Sequence, residues 1–364
     1  MITKIDWYII KKFFVTFIFC MLLFTAIAVA VDSSEKSDDF VKSGLSTSQI
    51  IQEYYFGFIP HIWGLLYPLF VFIAVIFFTS KMALQSEVIA ILASGTSYNR
   101  WLRPYILGGI VFAVGLWFAN RYGIPKANVI RGAFQAKISD KVSSGDNFSN
   151  CYNCYYLRVS TDTYVGVKNY DTASRSGNTF FLNRIKNNKI YYNLRAERIQ
   201  WDTTKKSWKL SNVIERRVDS AKERVKQIPE MHMHLNVKPG DLRKDDYLKD
   251  KLNTPELVQY IKMEELRGTE GLNSLKVERY RRTSTPFSVV ILTLIGAVIA
   301  GRKNRGGSGL HLATGIIIAA IFIVSDRFST VFSVKGDLSP LVAAWIPNIA
   351  FSVVAVYLYR KAPK

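Results

Sequence analysis

Three groups of residues in this chain have types and spacings that chemistry could use. The first is Cys151-x-x-Cys154. A lone C-x-x-C pair supplies half of a zinc ribbon or the two thiols of a local disulfide. His232 and His234 would lie on one face of a strand and add two imidazoles, but their spacing fits no zinc finger. No metal is therefore expected, and a compartment that permits oxidation favours the disulfide. Cys20, inside an apolar run, reads as packing. The second group is Gly301-Arg302-Lys303-Asn304-Arg305-Gly306-Gly307-Ser308, close to a phosphate-binding loop. The lysine such a loop needs is Gly307 here and no strand precedes it, so it reads as a basic turn without nucleotide. The third group is charge at the ends of apolar runs: Lys36 after Asp32, and the adjacent Asp326 and Arg327. Such charges lie at a membrane interface or line a cavity. No clustered acids or histidines stand ready for hydrolysis, and no catalytic residue is assigned.

These residues sit in an uneven chain. Of 364 residues 49% are hydrophobic, and the mean hydropathy is only +0.09. Six runs are apolar enough for a bilayer: Phe13–Val31, Phe56–Thr79, Pro104–Asn120, Thr283–Ala300, Leu310–Val324 and Leu341–Tyr359. The first is too long for a signal peptide and is long enough to cross a ~30 Å hydrocarbon core. Before it, Trp7 and Tyr8 beside Lys4, Lys11 and Lys12 read as an interfacial segment. Pro60 and Pro68 should bend the second run, and His61 there reads as packed or interfacial.

Between the third and fourth runs lies a polar stretch, 121–282, with 32 Lys/Arg against 19 Asp/Glu, so it carries +13 of the net +20. A basic surface attracts anionic partners or simply keeps a domain soluble. No base-stacking motif or basic recognition helix accompanies it, so no nucleic acid is expected. Tyr155–Val159, Thr163–Tyr170, Thr179–Ile185, Ile190–Trp201, Ser207–Arg217 and Gln227–Leu235 alternate as strands. Asn187-Asn188 and Asp202–Lys205 read as turns between them. Ile190, Tyr192, Leu194 and Ala196 keep one face and Ile199 and Trp201 take the other, which predicts a bulge. Short antiparallel strands in series predict a sandwich or jelly roll. Thr254-Pro255-Glu256 opens a helix, interrupted near Gly268–Gly271.

Short connections decide orientation, because Lys and Arg gather on the cytoplasmic side. Lys4, Lys11 and Lys12, then Lys81, Arg100 and Arg103, then Arg302, Lys303 and Arg305, then Arg360, Lys361 and Lys364 all fall on one side. Both termini are therefore expected in the cytoplasm and the insert outside. On the cytoplasmic side, Ser80 to Arg103 is too short and polar to span. Leu84, Val88, Ile91 and Leu92 form one helical stripe with Glu87 at its border, and Ser94-Gly95 stops it. Such a helix packs on its own bundle, lies on lipid, or docks in a partner's groove.

Ser86-Glu87-Val88-Ile89-Ala90 with Ala93-Ser94-Gly95 resembles the cytoplasmic coupling helix of the lipopolysaccharide export permeases, the LptF/LptG family. Val31-Asp32, Arg281-Arg282 with Pro286-Phe287, Asp326, and Trp345-Ile346-Pro347 also resemble family positions, as does the plan of three spans, a β insert and three spans. The resemblance covers essentially the whole chain. It implies an α-helical membrane protein with six transmembrane helices and a periplasmic all-β jelly-roll-like domain inserted between spans three and four. The divisions are then 1–121 with a coupling helix at about 80–98, 122–253 as the jelly roll, 254–282 as a helical connector, and 283–364. It further implies a non-enzymatic subunit of the bacterial inner membrane, with no cofactor of its own, ATP and Mg being used by a partner.

The implied partners are a cytoplasmic ABC ATPase dimer, a second permease chain (paralogue or self), periplasmic transport proteins of jelly-roll fold, and lipopolysaccharide. Leu84, Ser86, Glu87, Val88, Ile91, Leu92 and Gly95 would dock the ATPase, with Glu87 as the central contact. Some members carry a basic residue three positions before the span-one Asp; that position is Val29 here. Lys36 matches a second basic position and is assigned to lipid, as is Leu194 among the apolar strand positions. A membrane-anchored periplasmic scaffold or lipid-binding protein without transport is the competing expectation, though it would need neither six spans nor an amphipathic cytoplasmic helix. A membrane enzyme acting on lipid or cell-wall precursors would need clustered acids or histidines at the outer face.

Overall fold

The structure, a computed structural model, describes residues 3–142, 155–171, 174–186, 189–219, 222–235, 237, 239–242, 248–267, 271–302 and 307–362. Cys151, Cys154, Asn187-Asn188, residues 303–306 of the basic turn and residues 268–270 lie outside them. The chain forms two compact units. One comprises Met1–Lys141, Lys249–Leu257 and Asn273–Lys364, the other Val142–Leu248 and Val258–Leu272.

The first unit is helical. α1 (Lys4–Glu35) begins at a capping box in which Thr3 and Asp6 each accept the other's backbone N–H. The segment read as interfacial is thus the first turns of one continuous helix. α2 (Ser37–Ser43) and α3 (Thr47–Ile50) follow, then a π turn (Ile51–Tyr55) leading into α4 (Phe56–Leu84). α5 (Glu87–Ala93) precedes α6 (Tyr98–Phe118), which a second π turn (Ala119–Gly123) joins to α7 (Ile124–Val142). After the strands come α8 (Leu248–Lys251), α9 (Thr254–Arg267), α10 (Leu272–Ala300), α11 (Gly307–Lys335) and α12 (Pro340–Lys361).

Among the described residues six helical stretches are long and apolar enough to cross a membrane: Lys4–Glu35, Thr47–Leu84, Tyr98–Gln135, Leu272–Ala300, Gly309–Lys335 and Pro340–Lys361. Prolines interrupt four of the helices, at Pro60, Pro68, Pro104, Pro286 and Pro347. Each frees a carbonyl one turn back, and the one freed by Pro347, on Ala343, accepts the Ser329 hydroxyl at 2.6 Å.

Aromatic packing holds spans one to three together. Phe13 and Phe17 of α1 meet Phe112 of α6 at ring-centroid distances of 4.8 and 4.4 Å. Spans two and three approach so closely that only glycine fits: a Cβ on Gly57 would lie 2.6 Å from both Ala127 O and Arg131 N, which are backbone atoms that cannot turn aside. Gly57→Val should therefore cost about 2 kcal/mol or more, as overpacking does. Thermal unfolding of the purified protein checks this, and an unchanged midpoint would refute the close approach.

The second unit holds β1 (Tyr155–Ser160), β2 (Thr163–Asp171), β3 (Ser176–Lys186), β4 (Lys189–Asp202), β5 (Ser207–Asp219) and β6 (Lys222–Met233). They form one antiparallel sheet in sequential order. Strands consecutive in sequence are neighbours in the sheet, so the strand order is a meander rather than the crossover order of a jelly roll. A single apolar core, with Leu182, Leu194, Trp208 and Val213 among its most buried members, is closed by Val237 and Leu242. Leu194 is fully buried there. Lipid reaches this side chain only if the core opens.

The expected bulge near Ile199 is also corrected. β4 keeps one register with β5 from Tyr192↔Arg217 to Asp202↔Ser207. What changes is which face is buried, and it changes in every strand from β2 to β6 along one line. Buried or half-buried positions step by three at Val167/Tyr170, Gly177/Phe180, Ala196/Ile199, Leu210/Val213 and Ile228/Met231. Asn169, Thr179 and Asn212 on this line have φ of 50°, 53° and 52°, and Asn212 donates to Glu197 Oε2 at 2.6 Å. Left-handed residues in neighbouring strands crease the sheet together and return each strand's apolar residues to one side.

Candidate functional site

The expected site residues fall at the two ends of the helical unit. At the end where α1 starts, Ser86 takes a left-handed conformation (φ 58°) and separates α4 from α5. The short helix of this stretch is therefore Glu87–Ala93 rather than about 80–98, and Leu84 belongs to the preceding span. Its apolar stripe turns inward. Val88 is buried, and Ile91 and Leu92 pack on the core that contains Trp101. The face left outside carries Ile89, 48% exposed, with Leu84, Ala90 and Ala93. Gly95 (φ +85°) ends the turn with open space around it. The Glu87 carboxylate accepts from Lys12 Nζ at 3.1 Å and from the Tyr8 hydroxyl at 3.1 Å, and Lys12 lies 4.2 Å from the Tyr8 ring centre. Glu87 thus ties α5 to the first span.

At the opposite end, Lys36 is held by Asp32 at 3.1 Å and by the Tyr54 hydroxyl, which itself donates to Asp32 Oδ1 at 3.0 Å. The Lys36 ammonium sits 4.5 Å from the Tyr54 ring centre. It is a neutralised cation in an aromatic cluster that includes Tyr55, Phe58 and Phe134, against which Val29 also packs. Asp326 pairs with Arg281 at 2.9 Å, linking α11 to α10. Arg327 beside it has no ion pair among the described residues and is exposed.

Sequence reasoning took His61 only as packed or interfacial and did not single out Asn128 or Arg131. The Asn128 amide donates to the Asp250 backbone oxygen at 2.9 Å, which fixes its orientation, so the His61 Nδ1 donates to Asn128 Oδ1 at 2.9 Å. Arg131, Arg327 and Lys36 all lie within electrostatic reach of His61. The acids nearby are engaged, Asp32 by Lys36 and Tyr54 and Asp326 by Arg281. Burial, reinforced by Glu278, raises the pKa of Asp250 beside them. Arg282, nearly buried, bonds the backbone oxygens of Lys249 and Leu252 at 2.8 Å each and Glu278 at 3.1 Å, fixing α8 to α10.

An apolar groove of about 440 Å³ runs between spans one, two and five, lined by Phe19, Leu23, Ile73, Phe77, Ile316 and Ile323 among others. Ile323 and Arg327 are four apart on α11, so the basic group stands one turn above the end of the groove. Spans one and five bury only 11% and 17% of their central residues, against 56% and 61% for spans two and four. The groove is therefore bordered by the two most exposed apolar helices of the unit.

The model of the lipopolysaccharide export system permease LptF/LptG family matches residues 7–361. The chain belongs to this family. It is a multi-pass inner-membrane permease of lipopolysaccharide export, and the helical bundle and the inserted antiparallel sheet are the fold expected of it. No curated protein matches the chain.

Proposed function

We propose that this permease lifts lipopolysaccharide from the outer leaflet of the inner membrane through the groove between spans one, two and five. The carrying observation is that groove, ending one turn from Arg327 and the cations around His61. A multi-acyl lipid cannot leave a bilayer unaided, because each methylene exposed to water costs ~0.8 kcal/mol. A cytoplasmic ABC ATPase dimer supplies the work, using ATP and Mg, and the permease itself binds no cofactor. The exposed face of α5 with Glu87 is its docking surface. A second permease chain, paralogue or self, covers spans one and five and closes the other wall of the groove.

The distribution of Lys and Arg over the short connections supports cytoplasmic termini and a periplasmic sheet. Among the described residues β6 pairs only with β5, and its other edge spans twelve residues. A periplasmic jelly-roll protein continuing the sheet there receives the lipid, by the strand addition that open edges favour.

A photocrosslinking residue at Leu23 or Ile316 should capture lipopolysaccharide in cells, with capture changing several-fold when the ATPase cannot hydrolyse ATP. Equal capture in both conditions, or none, would rule out passage through this groove. Accessibility mapping that placed the sheet in the cytoplasm would do the same.

A further inference from the structure

A second cavity, of about 250 Å³, lies behind the groove, between spans two, four, five and six. Leu65, Leu69, Leu292 and Phe322 make its apolar part, while Arg281, Ser284, Asp326, Arg327 and Asn348 make its polar end. Pro68 and Pro347 line it too, so helices bent by proline hold the space open.

Two buried polar atoms around it lack partners. Asn348 is 4% exposed and its amide donates to Ser284 O at 2.8 Å. That bond fixes the amide, so Oδ1 is an acceptor with no donor. Arg281 gives a terminal nitrogen to Asp326, and its Nε is a donor with no acceptor. Buried polar atoms in native proteins are almost always satisfied, and leaving either of these empty inside a membrane is costly. The two demands are opposite in kind and close together: Ser284, which holds Asn348, is one turn from Arg281, about 5 Å along the helix. Arg327 adds a cation without an ion-pair partner among the described residues.

We infer that this cavity is a distinct lipid site, taking the head and the first part of one acyl chain of a phosphate-bearing amphiphile that also carries a hydroxyl. The phosphate accepts from Arg281 Nε and Arg327. The hydroxyl, a few bonds away, donates to Asn348 Oδ1. The chain lies on Leu65, Leu69 and Phe322. The volume is smaller than a drug-sized pocket of about 300–1,000 Å³, so one chain enters and a multi-acyl lipid does not enter whole. Phosphatidylglycerol and the proximal part of lipopolysaccharide both present this chemistry.

The test uses the permease purified with its native partners and placed in phosphatidylcholine nanodiscs, with phosphatidylglycerol or lipopolysaccharide added in separate arms. Native mass spectrometry reads the lipid retained per permease chain. One retained phosphatidylglycerol, or one lipopolysaccharide whose retention falls in the variants below, supports the site and tells the two sources apart. Asn348→Leu should lower retention about fivefold or more, the loss expected of one hydrogen bond to a buried group. Ala344→Phe, which fills the cavity from its lining and keeps the Asn348 and Arg281 side chains, should lower it as far. Retention equal in wild type and both variants, or no retained lipid in either arm, overturns the inference. Capture at Leu23 is independent of this result, so the transport reading stands or falls separately.

Discussion

Glu87→Lys is expected to lower recovery of the cytoplasmic ATPase with the permease about thirtyfold or more. The carboxylate stands at the edge of a short helix whose outward face is small and apolar, at Ile89, Ala90 and Ala93. A charged anchor beside such a face carries much of a docking energy, and losing one charge of a desolvated pair costs about 2–5 kcal/mol. Within the chain the same carboxylate accepts from Lys12 and Tyr8. With side chains 31% and 29% exposed, that pair contributes only ~0–1 kcal/mol to folding. The melting midpoint of the permease alone should therefore stay near that of wild type. Undiminished ATPase recovery would remove Glu87 from the interface. A fall in melting together with recovery would mean that the residue acts by holding α5 on span one.

The largest loss of stability is expected from Arg282→Ala. The guanidinium satisfies two backbone oxygens and a carboxylate while only 7% exposed. Its removal leaves these acceptors unpaired beside the buried Asp250. Breaking such a buried charged cluster costs about 3–5 kcal/mol, which corresponds to a fall of about 6–20 °C in the unfolding midpoint at the usual ~2–4 °C per kcal/mol. Arg282→Lys should recover part of the loss, since one ammonium cannot present a planar fork to three acceptors. Thermal unfolding in detergent or nanodiscs measures both, and a wild-type midpoint for the alanine variant would show that α8 is held by other contacts.

Much of this fold is legible in the residues because lipid admits few alternatives. Each apolar run lies within a helix, and the strands from β2 to β5 begin and end within about three residues of their alternating patterns. β6 starts five residues before the expected Gln227, because an edge strand with exposed flanks carries no apolar alternation there. The face change at Ile199 is visible in β4 alone, but the geometry behind it sits in Asn169, Thr179 and Asn212. A threonine in a left-handed conformation leaves no mark on a pattern of polar and apolar residues.

The site was harder to read. Lys36, Asp326 and Arg327 stand out as charges at the ends of spans, whereas His61 is hidden in an apolar run and Arg131 in a basic stretch. Their meeting depends on two π turns and on helix rotation, neither of which periodicity encodes. Of the coupling stripe, Val88, Ile91 and Leu92 share one inward face, while Leu84 belongs to the preceding helix; the direction of that face is set by the Ser86 turn.

The crease in the β sheet has a mechanical consequence. Hydrogen-bond ladders make a sheet stiff against shear between strands, and left-handed residues in β2, β3 and β5 set a fold line across it. That line brings the apolar residues on either side of it into one shared core.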